Sequence, residues 1–267
     1  MTLSISGKTA IVTGAANGVG RAIARHFADK GANVMFADKD EEGLIREVGE
    51  VQDGSTIRYF AGDLRQKLTQ ANLISATIDA FERIDVLVNA ARQVVRSDPL
   101  NPDDDAVEVL VQQNLMTSLR LTQVVAKRMI KQAEEDGGEG PAGSIINLSS
   151  ILAQRAHPAM MALSISNAAL EQMTRSLAVA LAGNRIRVNA VAMGSVMSAS
   201  LQEHLKEHPE YRQVIEKGTP LGRIASSSEL AEIVQFLPSD GSGFMTGQVL
   251  TVDGGRTLLD PVSAPAH

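Results

Sequence analysis

The segment Thr13-Gly14-Ala15-Ala16-Asn17-Gly18-Val19-Gly20 constrains this chain more than any other. It follows the apolar run Thr9-Ala10-Ile11-Val12 and opens an amphipathic run over residues 21–28. A strand, a glycine turn and a helix, in that order, bring main-chain N–H groups and the positive end of a helix to one spot, where a pyrophosphate can sit. Glycines let the backbone turn tightly, approach the anion and pack helix against strand. Asp38 closes the next apolar run, residues 32–37, at the distance where a carboxylate grips an adenosine ribose 2′-hydroxyl. A tight connection alone needs no such acid. The four pieces together point to a dinucleotide.

The rest of the chain alternates in the same way. Strand patterns fall at residues 9–13, 32–37, 56–61, 86–89, 144–148, 187–192 and 249–252, and helical periodicity fills residues 21–30, 41–51, 71–81, 106–133, 164–182 and 228–237. Alternation of this kind implies right-handed crossovers and a parallel sheet covered on both faces. The expected fold is therefore α/β: a Rossmann-type, doubly wound, seven-stranded, mostly parallel sheet with helices on both faces. All 267 residues suit one domain, with residues 255–267 as a tail. Residues 134–143, acidic and glycine-rich, read as a solvated loop.

Composition excludes several functions. A net charge of −6 argues against nucleic acid as a partner. The absence of cysteine removes disulfides, thiolate–zinc sites and cysteine nucleophiles, and it fits a reducing compartment. The N-terminus lacks a signal-peptide core and no apolar run is long enough to span a bilayer, so a cytoplasmic location with no membrane partner is expected.

Beyond the glycine turn, Asp63-Leu64, Val86-Leu87-Val88-Asn89, Asn114, Ser149-Ser150, Arg187-Val188-Asn189-Ala190-Val191 and Val252-Asp253-Gly254-Gly255 follow one another along the chain. With Thr13–Gly20 as T-G-x-x-x-G-x-G, this set resembles the short-chain dehydrogenase/reductase family from about Ile5 to Gly255. The resemblance implies a nicotinamide cofactor and hydride transfer between it and an alcohol or carbonyl. It assigns cofactor contacts to Gly14, Asn17, Gly18, Val19, Gly20, Asp38, Lys39, Asp63, Leu64, Asn89, Ala90, Ala91, Gly194, Val196 and Ser198. Asp38 favours NAD over NADP, since a carboxylate repels a 2′-phosphate, and the neutral Asn17 agrees. Lys39 is a mild counter-signal.

In that family a tyrosine moves a proton to or from the substrate oxygen. A lysine four residues later lowers the tyrosine's pKa and holds the nicotinamide ribose; the spacing puts both on one helix face. Here the matching stretch reads Ala162-Leu163-Ser164-Ile165-Ser166-Asn167-Ala168-Ala169-Leu170. Leu163 takes the tyrosine position and Asn167 the lysine position. The only tyrosines, Tyr59 and Tyr211, are followed at four residues by Asp63 and Ile215. The catalytic set is reduced to Ser150 and Asn114. Asn89-Ala90-Ala91-Arg92 replaces the family's N-N-A-G, so Arg92 is either an anion binder, a block in the pocket or a solvated charge.

Two classes of function stay open. One is a non-catalytic dinucleotide- or metabolite-binding protein, a sensor or a partner subunit. The other is an NAD-dependent oxidoreductase with a different proton donor. Either takes a small-molecule ligand. Long apolar helices at residues 106–133 and 164–182, paired across subunits in the family, imply a homodimer or homotetramer. His204-Leu205-Lys206-Glu207-His208 spells a zinc pattern, but Pro209 follows and no downstream third ligand is evident, so no metal is expected.

Overall fold

The computed structural model describes residues 3–49, 54–260 and 262. Its strands are β1 (Thr9–Thr13), β2 (Asn33–Asp38), β3 (Ile57–Ala61), β4 (Val86–Asn89), β5 (Gly143–Ser150), β6 (Ile186–Met193), β7 (Val196–Met197), β8 (Ala225–Ser226) and β9 (Val249–Val252). Seven of them form one sheet in the order β3-β2-β1-β4-β5-β6-β9. Every pairing in it is parallel. The expected doubly wound sheet is thus found. β7 and β8 make a separate two-stranded pair.

Helices α1 (Gly18–Asp29), α2 (Glu41–Val48), α3 (Lys67–Phe81), α4 (Ala106–Leu110), α5 (Thr117–Glu135), α6 (Met161–Ala182), α7 (Ala199–Glu207), α8 (Glu210–Lys217) and α9 (Ser227–Phe236) complete the framework. Ile23 and Phe27 of α1 join Leu230 and Val234 of α9 in one core with inward residues of β1, β2 and β4. Leu73 of α3, Leu121, Val125 and Met129 of α5 and Ala178 of α6 fill a second core with Ile11, Leu87 and Ile145. Neighbouring strand residues alternate between the two cores, as a sheet covered on both faces requires.

The structure departs from the sequence reading in several places. The helix expected over residues 106–133 is interrupted by a π-helical turn, Val111–Met116. Thr117 Oγ1 donates to the Gln112 carbonyl (3.0 Å), five residues back, which steadies the widened turn. The loop expected at residues 134–143 is shorter, because α5 runs to Glu135 and β5 begins at Gly143. Residues 195–220 hold α7 and α8, whose charge-rich faces give little apolar periodicity. The expected helix over 41–51 ends at Val48, and residues 50–53 lie outside the described residues. Of the expected tail, residues 255–260 and 262 are described, with a 3₁₀ turn at Arg256–Leu258, and residues 261 and 263–267 lie outside the described residues. No described helix is long and apolar enough to cross a membrane.

Candidate functional site

The strand order reverses direction of growth between β1 and β4, and the crevice at their carboxyl ends is where such sheets take ligands. The glycine turn sits there. Gly14 has φ +69°, and a Cβ on it would lie 2.9 Å from Ala91 Cα. A Cβ on Gly20 would lie 2.2 Å from the Gly14 carbonyl oxygen, so only glycine lets α1 start this close to β1. Thr13 Oγ1 accepts from the N–H groups of Ala90 (3.0 Å) and Ala91 (2.9 Å), locking the turns after β1 and β4 together. Asn17 is the N-cap of α1, yet its side chain makes no capping bond and no acid lies in the first turn. The N–H groups there remain available to an anion. Val19 and Gly20 are buried beneath them.

On the adenosine side, the Asp38 carboxylate accepts from the N–H of Ala16 (3.1 Å) and of Asp40 (3.1 Å). This holds it at the end of β2 beside the turn. Asp63 is gripped by the Arg65 guanidinium, with a shortest contact of 2.6 Å. That hydrogen bond holds the Asp63 carboxyl below its ordinary range, against the opposing effect of burial; Lys39 adds a weaker attraction. Leu64 is buried next to it. The residues present therefore fit the adenosine and pyrophosphate portion of a nicotinamide dinucleotide.

Across the crevice, the Gly194 N–H donates to the Val252 carbonyl (2.9 Å) and a Cβ on Gly194 would meet Asp253 Cβ at 2.9 Å. Val196 is buried in β7. Ser198 caps α7 by accepting from the Leu201 N–H (3.2 Å), and its Cβ would be 3.9 Å from a Cβ on Gly18. The segment after β6 thus lies against the glycine turn. Asn89 is turned inward: its amide donates to Thr122 Oγ1 (3.0 Å) and Asn147 Oδ1 (2.8 Å). Asn147 continues the buried chain to Thr174 Oγ1 (2.9 Å).

At the positions matched by sequence to the family's tyrosine and lysine, the surroundings are apolar. Leu163 is 3% exposed and packs with Ala106, Leu110 and Ala162, against partly buried Val95, Val107, Leu152 and Met160. Asn167 is 2% exposed, and its Nδ2 donates to the Leu163 carbonyl at 2.8 Å. The amide at the lysine position is spent on its own helix. Ser150, also buried, accepts from the Leu152 N–H (3.2 Å) as the cap of a 3₁₀ turn, Ile151–Ala153. Asn114, in the π-helical turn, clamps Gln93: its Oδ1 accepts from the Gln93 N–H (2.8 Å) and its Nδ2 donates to the Gln93 carbonyl (3.0 Å). Tyr211 stacks on His208 with ring centres 4.7 Å apart.

Sequence reasoning missed the apolar wall of Val95, Val107, Leu152 and Met160, which comes from four separate segments and carries no motif. It also missed Thr13 as a latch, although a threonine opens the glycine motif. A concavity of about 880 Å³ lies at the opposite, amino edge of the sheet, where Lys8, Arg83, Arg187 and Phe244 line it. It shares no residue with the site above.

A family model described as enoyl-(acyl carrier protein) reductase matches residues 14–257. The chain belongs to the short-chain dehydrogenase/reductase family. It is 32% identical over 257 residues to the 3-oxoacyl-[acyl-carrier-protein] reductase FabG of Thermotoga maritima, covering 96% of this chain and 100% of that one. Oxidoreductase UcpA of Escherichia coli K12 is 32% identical over 267 residues, covering 97% of this chain and 98% of that one. Among solved short-chain dehydrogenases, a 7α-hydroxysteroid dehydrogenase complexed with NADH and 7-oxo glycochenodeoxycholic acid superposes with a TM-score of 0.86 at 29% identity, covering 95% of this chain and 96% of that one. A gluconate 5-dehydrogenase from Burkholderia cenocepacia in complex with NADP and tartrate gives a TM-score of 0.84 at 28% identity, covering 97% of this chain and 98% of that one. The family is one of nicotinamide-dependent oxidoreductases.

Proposed function

We propose that this short-chain dehydrogenase binds NAD in preference to NADP and does not run the family's tyrosine-dependent proton transfer. It acts instead as a dinucleotide- or metabolite-binding protein, a sensor or the partner subunit of an active enzyme. The observation that carries this reading is the pair Leu163 and Asn167. A leucine has no proton to give, and here it is packed among apolar side chains rather than facing a polar pocket. The asparagine carries no charge to perturb a neighbour, and its amide is bonded within α6.

A bound nicotinamide would supply or accept the hydride. The chain's own contribution is to hold it. The first turn of α1 and the Gly14 turn bind the pyrophosphate, Asp38 the adenosine ribose, Asp63 and Leu64 flank the adenine, and Gly194, Val196 and Ser198 close over the other half. Asp38 supports NAD because a 2′-phosphate would meet a fixed carboxylate. Ser150 is the one hydroxyl left at the catalytic position. Loss of a positioned acid or base costs roughly 10² to 10⁴ in rate, which leaves at most slow turnover. A small molecule is the ligand, the location is cytoplasmic, and the chain pairs with copies of itself through α5 and α6 and through the open edge at β9.

Thermal melts during titration with NAD and NADP test the binding, because a ligand of the folded state alone raises the apparent stability. NAD is expected to give the larger shift; no shift with either ends the nucleotide reading. A broad alcohol panel tests the chemistry. Wild type is expected to show negligible NAD reduction, with some restored in the double variant L163Y/N167K. Robust wild-type turnover would overturn the proposal.

A further inference from the structure

The geometry points to a divalent transition-metal site, of the zinc class, formed by His204, Glu207 and His208 at the end of α7. The sequence spelled His204, Glu207 and His208 in one pattern and offered no further ligand downstream. The fold brings these three together: one ligand atom from each lies within 4.8 Å of the others. Glu207 stands three residues after His204 on α7, and His208, the C-cap residue, follows as the chain leaves the helix, its N–H still donating to the His204 carbonyl (3.0 Å). Tetrahedral zinc, with Zn–N near about 2.0 Å, holds its ligand atoms about 3.3 Å apart. Partly exposed side chains close that difference by small rotations.

The surroundings favour a cation. Leu205, 7% exposed, anchors α7 to the body, and its neighbours in sequence point away from that contact. Pro209 ends the helix and starts α8, and the Tyr211 N–H donates to the His208 carbonyl (3.1 Å), folding the phenol ring back onto the imidazoles. The ring centres of His204 and His208 are 5.0 Å apart, and Tyr211 walls one side. The Glu210 carboxylate lies 3.5 Å from His208 Nδ1, where an outer carboxylate orients an imidazole and leaves Nε2 for the metal. Imidazole nitrogens and a carboxylate select zinc, nickel or cobalt over calcium or magnesium. Three ligands leave a further position for water. Because α7 begins at Ser198 beside the glycine turn, a bound ion staples the far end of the segment that lies against the nucleotide site.

The test uses the full chain, stripped with a chelator and titrated calorimetrically with ZnCl₂, and separately with CoCl₂ followed by visible absorption. One equivalent of zinc at micromolar concentration is expected, with intense visible bands from a low-coordinate cobalt complex. H204A and H208A should each abolish uptake, and E207Q should weaken it roughly tenfold or more. E203Q, on the same helix outside the triad, should leave it unchanged. Circular dichroism of each variant confirms that the fold is intact. Absence of uptake by wild type would overturn the site, as would uptake that survives H204A and H208A or falls equally in E203Q.

Discussion

Arg92 follows Ala91 at the turn after β4, and on the proposed reading it offers a cation near the nucleotide site. Among the described residues it has no ion-pair partner, whereas the guanidinium groups of Arg65 and Arg83 are paired. It is exposed, yet desolvation by the surrounding protein lowers it to about 10, so it remains charged at neutral pH. The preceding Ala91 touches the glycine turn and Asn114 fixes the following residue, so the Arg92 backbone is held close to that turn. R92A is expected to weaken NAD binding about tenfold, the worth of one charge-assisted hydrogen bond, and to reduce its salt dependence. Calorimetry at two ionic strengths checks this; tighter binding by R92A would mean that the side chain obstructs the pocket instead. At this scale the sequence was informative about identity and poor about commitment. Leu163 and Asn167 could be placed by register. That the Asn167 amide closes on the Leu163 carbonyl, or that Asn89 turns inward to Asn147, depends on rotamers that no motif records.

Elements show the same division. The seven strands of the main sheet were legible to within two residues, because buried parallel strands are continuous apolar runs between turn residues. The π-helical turn was not, since Val111–Met116 keeps a helical pattern and differs only in which carbonyl each N–H meets. α7 carried a signal that went unread: Ser198 is a good cap residue ahead of it. α9 has the fuller signature. Ser226 and Glu229 form a reciprocal capping box, and Arg223 holds Glu229 at 2.6 Å. S226A is expected to lower stability by about 1 kcal/mol in chemical denaturation. The Arg223 hydrogen bond, aided by the Ser226 N–H and hydroxyl, lowers the Glu229 carboxyl from 4.5 to about 2. A lowered carboxyl stabilises above its unfolded value and loses that effect as pH falls toward the folded one. The difference between wild type and E229Q should therefore be full above 4.5 and vanish near 2, and melts across that window check it. The start of α1 is less forgiving. In G20A the new methyl meets the Gly14 carbonyl, so stability should fall by roughly 1–3 kcal/mol and the thermal shift with NAD should disappear.

At the scale of the whole molecule, the strand order follows from the alternation of strands and helices together with the right-handed crossover rule, and the reversal between β1 and β4 then fixes where a ligand goes. What alternation leaves open is which outer surfaces face water. β9 is an edge strand, and the segment leading into it exposes Phe244 completely, at 107% of its reference area. The chain has only six phenylalanines, and Phe27 and Phe36 are among its most deeply buried side chains. An aromatic ring left in water beside an open sheet edge costs free energy that a second copy recovers by covering it. On α6, Val179 (82% exposed) and Ile165 (43%) form a separate apolar surface. Two independent self-contacts build a tetrahedron-like assembly of two dimers, whereas one contact stops at a dimer. Size-exclusion chromatography with light scattering is expected to give a tetramer for wild type and a dimer for F244D. The distinction bears on the proposed function, because a subunit without the family's proton transfer would still contribute if its α5–α6 face held a competent relative. A wild-type monomer at micromolar concentration would remove both interfaces, and an unchanged tetramer in F244D would remove the one at β9.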